Sequence, residues 1–376
     1  MTDGPADQHR RAKAEQKHTW KDYLYGLFNF PQRMRNIAND IDYLIMRQEN
    51  LHRVTKVEHD YVRGQADRIW REVRDTTALR HTLKQSGYDI AREIASRGKN
   101  APVPPDADPN LMLACKPATQ ADVESDWFYY WMDQLRLAPL AHRKLWEMAY
   151  ILQSLYSHGK ILPGAKALGF GCGEEPLPSL FAARGMDVTV TDLHPDRVAE
   201  LGWVETGQHT DSLMATFVPD LVDQNIFRDR VSLQYVDMND IPASLDGTYD
   251  VCWSVCALEH LGSIEKGLDF IENSLRSLKP GGVAVHTTEF NYSNQERTLD
   301  NWLTVLFRQP DFQKIADRLT EQGHTVAPLD FNVGDQPMDR FIDVPPYTDI
   351  STHLKMSVDG FPSTCFGITV TKAAHL

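Results

Sequence analysis

The sequence lacks the features that mark several large classes of protein. It contains no uncharged apolar stretch of about 18 residues, so it predicts no membrane-spanning helix. It has no excess of positive charge, since 52 acidic residues outweigh 39 Lys and Arg and leave a net charge of −13. A protein that binds nucleic-acid phosphates or an anionic membrane needs the opposite balance. No apolar core follows the basic residues at the N-terminus, so we expect no secretory signal.

Cysteine is scarce as well, with five in 376 residues and no CxxC pair. The five are Cys115, Cys172, Cys252, Cys256 and Cys365. Such an odd, scattered set argues against a disulfide framework and predicts reduced thiols in a cytoplasmic protein.

The residues that are present indicate two regions that differ in composition and predicted secondary structure. Residues 1–19 are polar and are predicted to form a mobile tail. Residues 20–98 favour helix almost throughout, and 99–110 hold four prolines, which predicts a linker. Residues 111–376 are then a second domain, which opens with aromatic-rich helices at 120–158 that we expect to cap a sheet. Hydrophobic residues make up 42% of the chain, enough for a large core.

One apolar stripe stands out in the helical region. It consists of Met34, Ile37, Ile41, Leu44 and Leu51. The spacing is that of one helix face and is compatible with a short coiled coil. A helix that packs on its own chain explains the stripe equally well.

The second domain alternates short apolar runs with helical stretches. The runs cover 165–170, 187–192, 231–236, 249–255 and 282–288, and two further runs, 353–358 and 363–372, flank a turn. Strands separated by helices predict a mostly parallel sheet, and the last two runs predict an antiparallel hairpin at its end.

The first run leads into a glycine-rich turn, GFGCGEEPLPSLFAARG, at 169–185. Gly171 and Gly173 would let the backbone approach a ligand closely. A dinucleotide fingerprint counted from Gly171 needs glycine where Pro176 stands, and no phosphate loop ending in GK[ST] occurs. A nicotinamide dehydrogenase is therefore a weak hypothesis.

Acidic residues around this turn point to a different ligand. Glu174 and Glu175 would oppose a phosphate and suit a ligand that is cationic at this end, although they could simply complement a helix dipole. Asp192 ends the second run 21 residues after Gly171. That position suits a carboxylate that accepts both ribose hydroxyls, with capping of the next helix as the alternative.

Together these motifs resemble class I S-adenosylmethionine-dependent methyltransferases. The resemblance continues through VDMNDIP (236–242), YDVCWSVCALEHL (249–261) and LKPGGVAVHT (278–287). It covers about 165 to 290, and the hairpin extends it. It implies a Rossmann-like α/β fold with a mostly parallel seven-stranded sheet, a C-terminal antiparallel hairpin and a helical N-terminal extension. It also implies S-adenosylmethionine as cofactor. The residues of these motifs are similar to those of a methyltransferase subgroup associated with bacterial surface polysaccharide synthesis. This resemblance implies O-methylation of a sugar.

The resemblance also implies a set of cofactor-binding residues. These are Gly169, Gly171, Gly173, Glu174, Glu175, Asp192, Leu193, Asp237, Met238, Ser254 and Val255. Asp237 would face the exocyclic amine of adenine. Gly169 and Glu175 depart from the family, which usually has an acidic residue and a small residue at these two positions.

Methyl transfer to a hydroxyl should need a base, because a hydroxyl has a high pKa. His260 is the first candidate, followed by Glu259 and His286; a helix-entry or core role is the alternative for the histidines. Residues suited to contact a sugar are Glu289, Tyr292, Arg340, Tyr347 and His353. The acidic residues at 330–343 have no diagnostic metal spacing, so we predict no metal.

Two other functions stay open on the sequence alone. The acceptor could be a small metabolite or natural product instead of a sugar. Alternatively, the chain could be a non-catalytic scaffold with a relic cofactor fold. In any of these cases the N-terminal helices could join copies of the chain or bind a partner in glycan synthesis.

Overall fold

The computed structural model describes residues 30–50, 56–194, 212–293, 295–347 and 353–374. The predicted tail at 1–19 lies outside these residues. The chain divides into two compact units: Met1–Leu83 with Val344–Asp349, and Lys84–Asp343 with Ile350–Leu376.

Two helices confirm the predicted helical region over its described part. Helix α1 covers Phe30–Asn50 and α2 covers Lys56–Gly98. On α1, Ile37 and Leu44 are 46% and 58% exposed, so two of the four described residues of the predicted stripe are uncovered. Leu51 lies outside the described residues.

The division between the units falls inside α2, not in the predicted linker. Its end, from Lys84, packs within the second unit, where Ile94 is buried in the core. Gly87 lies so close to Phe341 that an added Cβ would meet the ring at 2.2 Å. The proline-rich segment 99–110 forms neither helix nor strand, as predicted, and it belongs to this unit.

The second unit contains the remaining elements. Its helices are α3 Gln120–Val123, α4 Asp126–Gln134, α5 Arg143–Ser157, α6 Leu177–Ala183, α7 Gln224–Arg230, α8 Ile264–Ser274, α9 Gln309–Glu321 and α10 Pro337–Arg340. Its strands are β1 Lys116–Pro117, β2 Lys166–Phe170, β3 Asp187–Asp192, β4 Val231–Tyr235, β5 Tyr249–Val255, β6 Leu278–Asn291, β7 Thr325–Val326, β8 Ile342–Asp343, β9 Lys355–Val358 and β10 Phe361–Thr371.

The strands form one sheet in the order β4-β3-β2-β5-β6-β10-β9-β8. The first five are parallel, and β10 runs antiparallel to both β6 and β9. All seven predicted strands are present, so the predicted fold is confirmed. Strands β1, β7 and β8 are additions of two residues each, too short to leave a periodic pattern.

Alternation along the strands fills a core on each face of the sheet. Val251 and Val285 contribute to one core and Cys252 and Ala284 to the other. The first core also contains the aromatic residues of α4 and α5, which confirms the expected capping helices. The sheet is thus covered on both faces, and the loops at the carboxyl ends of its parallel strands remain to form a site.

Candidate functional site

Three loops meet at the carboxyl ends of β2, β4 and β5. Gly171 and Gly173 adopt positive φ angles of 57° and 54°. A Cβ on Gly171 would lie 2.9 Å from Cβ of Ala257, after β5, and 3.3 Å from Sδ of Met238, after β4. Glycine is therefore required both by the left-handed conformation and by this close approach.

Asp192 lies at the end of β3 and is 3% exposed. Its Oδ2 accepts a hydrogen bond from the Gly173 N–H at 3.1 Å, and its Oδ1 accepts one from the Leu193 N–H at 2.7 Å. The carboxylate thus lies beside the glycine turn. The alternative of capping the following helix concerns residues 195–211, outside the described part.

The two glutamates of the turn have different environments. Glu174 is exposed, whereas the side chain of Glu175 turns inward and Oε1 accepts a hydrogen bond from the Trp253 indole N–H at 2.5 Å. Burial raises the pKa of Glu175 to about 8. Helix α6 begins only at Leu177, so neither carboxylate lies in its first turn, and the helix-dipole explanation loses its support.

Gly169 differs from the other predicted cofactor residues. It is buried inside β2, and a Cβ there would meet Sγ of Cys172 at 2.3 Å and Cζ2 of Trp253 at 2.4 Å. Protein atoms cover this position, so its prediction as a cofactor contact is corrected to a packing role.

The β4 loop supplies the next pair of predicted residues. The Val236 N–H donates to the Asp192 carbonyl at 2.9 Å, which fixes this loop beside β3. Asp237 is half-buried and accepts a hydrogen bond from the Asn239 N–H at 2.8 Å. Together with Met238 below Gly171, Asp237 therefore faces the same edge of the sheet as Asp192.

Ser254 and His286 form a buried pair under this edge. The Ser254 Oγ lies 2.8 Å from Nδ1 of His286, and the Ser274 Oγ lies 3.0 Å from its Nε2. Burial lowers the pKa of His286 to about 3. Because both ring nitrogens are engaged inside the core, the structure corrects the catalytic prediction for His286 to a structural role. Val255, at the end of β5, is half-buried.

His260 closes the short turn after β5 and is half-buried. Its Nδ1 lies 3.0 Å from the Leu303 carbonyl and 3.2 Å from the Thr304 hydroxyl. When Nδ1–H donates to that carbonyl, the lone pair of the neutral ring is on Nε2. His260 therefore has the tautomer that a base requires.

Two acidic side chains lie beside this histidine. Glu259 is 1% exposed and accepts a hydrogen bond from the Thr288 hydroxyl at 3.1 Å. Burial and the neighbouring Glu289 raise the pKa of Glu259 to about 7. Burial acts in the same direction on Glu289, but Arg143 and Lys144 outweigh it and hold the pKa of Glu289 below its usual range. The pair therefore combines an ionised carboxylate with one that titrates near neutrality.

A charged cluster from α5 and β10 completes the edge, and sequence reasoning missed it. Arg143 forms an ion pair with Glu289, and its Nη1 lies 3.2 Å from Sγ of Cys365. The Cys365 thiol donates to Oε1 of Glu147 at 2.6 Å, and Sγ of Cys256 lies 3.7 Å from Sγ of Cys365. The available signal was the charge placed in the first turns of an otherwise apolar helix, RKLWE at 143–147.

The residues predicted to bind an acceptor do not all converge. Tyr292 is half-buried next to Lys355, and within the described residues its hydroxyl has no hydrogen-bond partner. His353 is buried, with Nδ1 3.1 Å from Oδ2 of Asp343. Arg340 is exposed, and Tyr347 belongs to the first unit.

The acidic residues considered for a metal have other contacts. The Asp343 carboxylate pairs with Lys84 at 2.6 Å, and Asp339 lies 3.6 Å from Lys355. Asp330 accepts a hydrogen bond from a nearby backbone N–H. Among the described residues these side chains do not form a common ligand set.

Part of the chain is similar to known proteins. Residues 145–323 match a family model described as a methyltransferase domain. No curated protein matches the chain. Among solved structures, a candidate sarcosine dimethylglycine methyltransferase from Galdieria sulphuraria is 14% identical, covers 66% of this chain and 99% of its own, and gives a TM-score of 0.39. A SAM-dependent methyltransferase from Aquifex aeolicus is also 14% identical, covers 56% and 84%, and gives a TM-score of 0.30.

The matched segment runs from α5 to α9 and contains every residue predicted to bind the cofactor. The match of residues 145–323 to a methyltransferase domain supports an S-adenosylmethionine-dependent methyltransferase. This confirms the predicted enzyme class and cofactor. The turn at Gly171 and Gly173 and the carboxylates of Asp192 and Asp237 fit such a cofactor. No helix among the described residues is both long and apolar enough to span a membrane.

Proposed function

We propose that this methyltransferase O-methylates a sugar hydroxyl during synthesis of a bacterial surface glycan, in the cytoplasm. The observation that carries the proposal is the position of His260 beside the carboxylates Glu259 and Glu289. Transfer to a hydroxyl needs a group that accepts a proton, whereas a carboxylate acceptor would need none. The similarity of the motifs to the polysaccharide subgroup supports the choice of a sugar.

On the cofactor side, five of the predicted residues have a role in this proposal. Asp192 would accept the ribose hydroxyls, and Asp237 would accept from the adenine amine, with Met238 against the ring. Gly171 and Gly173 would let the backbone approach the methionine part. The cofactor supplies a methyl group activated on a sulfonium, and the side chains orient the acceptor toward it.

On the acceptor side, His260 would act as the base. The new bond joins the acceptor oxygen to the methyl carbon, the sulfur–carbon bond breaks, and the hydroxyl proton goes to Nε2 of His260. The ionised Glu289 would stabilise the protonated imidazole; the same attraction is one of the effects that lower the pKa of Glu289. Glu289, Tyr292 and His353 are the contacts proposed for the sugar.

The test uses purified protein and S-adenosylmethionine with a labelled methyl group. It is offered a panel of nucleoside-diphosphate sugars beside small alcohols, amines and carboxylic acids. We expect label on a sugar oxygen. His260→Asn should lower kcat by about 100-fold, a typical loss for a general base, with unchanged cofactor affinity.

His158→Asn is the matched control, because His158 is also half-buried and its Nδ1 contacts a backbone carbonyl, that of Ser154, at 2.7 Å. It should retain wild-type kcat. Label on an amine or acid but on no sugar would refute the proposed acceptor. Cofactor binding without turnover on the whole panel would favour the scaffold hypothesis, and full activity of His260→Asn would remove this residue from the chemistry.

A further inference from the structure

The two departures from the family, Gly169 and Glu175, belong to one arrangement. Gly169 lies directly beside Trp253 in the pairing of β2 with β5. Because a Cβ at 169 would lie 2.4 Å from the indole, no acidic side chain fits at this position. The absence of a side chain at 169 is what makes room for the tryptophan.

The same tryptophan holds Glu175. Its indole N–H donates to the carboxyl at 2.5 Å, and its ring packs edge-on against Phe181 with 5.1 Å between centroids. The indole is completely buried, so its direction is fixed. Position 169 thus carries no acidic side chain, and the carboxyl of Glu175 is held beside the glycine turn instead.

Glu175 forms no ion pair within the part of the chain that the structure describes. The titratable groups around it are Cys172 on its own turn and Lys144 and Glu147 on α5. Asp192 on β3 lies close enough to Cys172 to raise the pKa of its thiol. Lys144 lies 3.6 Å from Glu147, which offsets its charge. Burial therefore dominates, and the neutral acid is favoured without a ligand.

We propose that Glu175 is the counter-ion of the α-ammonium group of S-adenosylmethionine, and that it releases its proton to solvent when this cation binds. The inference rests on the cofactor site proposed above. The neutral carboxyl and the ligand's ammonium form a carboxylate–ammonium pair, and one proton leaves. Cofactor binding is therefore coupled to pH through a residue that stands outside the usual motif.

The sign of the coupling follows from the release. Binding that frees a proton becomes tighter as pH rises, by at most about tenfold per pH unit for one proton. The increase should hold between about pH 6 and 7.5, since the pKa of Glu175 in the free protein is raised to about 8. Above this range the ligand's own amino group begins to lose its proton.

The experiment is calorimetric titration of the full chain with S-adenosylmethionine at pH 7 in phosphate and in Tris, two buffers with different enthalpies of ionisation. The difference in observed heat counts the protons released. Wild type should release close to one, and Glu175→Gln close to none. Asp187→Asn is the control, since that carboxylate is exposed at the start of β3, where it pairs with Arg230, and it should behave as wild type. The demethylated product has the same ammonium and should release the same proton.

Four outcomes would overturn the inference while leaving the cofactor in place. They are binding to wild type without release, undiminished release from Glu175→Gln, release lost equally in Asp187→Asn, and release with S-adenosylmethionine but not with its product. No binding to wild type would instead remove the cofactor site and the inference together.

A second variant, Trp253→Phe, keeps the acid and removes only the indole N–H. This hydrogen bond favours the charged carboxylate. The variant should therefore release a proton but reach wild-type affinity only at higher pH. An unchanged pH dependence in this variant would show that Trp253 does not hold Glu175.

Discussion

At the scale of single residues, Asp192 shows how one buried carboxylate joins two loops. It accepts from the backbone of Gly173 and of Leu193. Its position could be predicted from the sequence because Asp192 and Gly171 belong to the same local unit of strand, glycine turn, helix and strand.

We expect Asp192→Ala to weaken S-adenosylmethionine binding at least tenfold, about 1.4 kcal/mol, since a charged hydrogen-bond acceptor is lost. Calorimetry at constant pH measures the change. Asp187→Ala is the control at the start of the same strand, where the side chain forms a surface ion pair with Arg230. Equal losses in both variants would assign the effect to the strand and not to the site.

His286 leads to a prediction about stability. Its pKa is about 3 in the folded protein, against an ordinary value of 6.5. The unfolded chain therefore binds the proton first, and stability falls as pH drops from about 6.5 toward 3, by up to about 1.4 kcal/mol per pH unit. His286→Gln removes this protonation site, so the free energy of unfolding of the variant should fall less than that of wild type over the same pH range.

Urea unfolding at pH 7, 6 and 5 provides the measurement. His142 also has its pKa lowered to about 3, mainly by burial, so part of the slope should persist in the variant. A slope as steep as wild type would mean that His286 is protonated in the folded protein.

The cluster around Arg143 was beyond the reach of sequence reasoning. Arg143 contacts Glu289 and Cys365 across separations of 146 and 222 residues. No local pattern encodes such contacts. These contacts form only when the sheet places β6 and β10 next to each other under α5.

At the scale of elements, two of the three glycines in α2 have opposite surroundings. A Cβ on Gly87 would meet the Phe341 ring at 2.2 Å, whereas one on Gly64 would have nothing within 4 Å. Gly64→Ala should stabilise the helix by up to about 1 kcal/mol, and Gly87→Ala should destabilise the protein by about 1–3 kcal/mol.

Chemical unfolding of the two variants beside wild type compares these effects, and each variant is the other's control. A gain in stability from both would mean that the end of α2 does not pack on Phe341. The sequence predicted helix here but not this packing, because a glycine in a helical stretch does not reveal what approaches it.

For the strands, too, the sequence predicted one part of the structure and not another. The fifth run was predicted at 282–288, and β6 extends over Leu278–Asn291. The extra residues at the end of β6 pair with β10. No local sequence pattern predicts this pairing.

At the scale of the whole molecule, the uncovered stripe on α1 concerns assembly. We expect wild type to self-associate through it, because Ile37 and Leu44 are apolar and exposed. Ile37→Glu with Leu44→Glu should leave a smaller species by size exclusion with light scattering, with unchanged cofactor affinity.

Asn36→Glu with Asn39→Glu adds the same charge at exposed polar positions of the same helix and should leave assembly intact. A monomeric wild type would instead support packing of this helix on its own chain, the other explanation that the sequence left open.

The position of β10 in the sheet has a consequence for how the protein is made. This strand lies between β6 and β9 and also pairs with β1 and β7, although it follows all of them along the chain. On the ribosome, β6 must therefore keep an unpaired edge until residues 361–371 emerge. The sheet becomes complete only once this strand has been made, and nascent chains that stall before it present an open sheet edge to neighbouring chains and to chaperones.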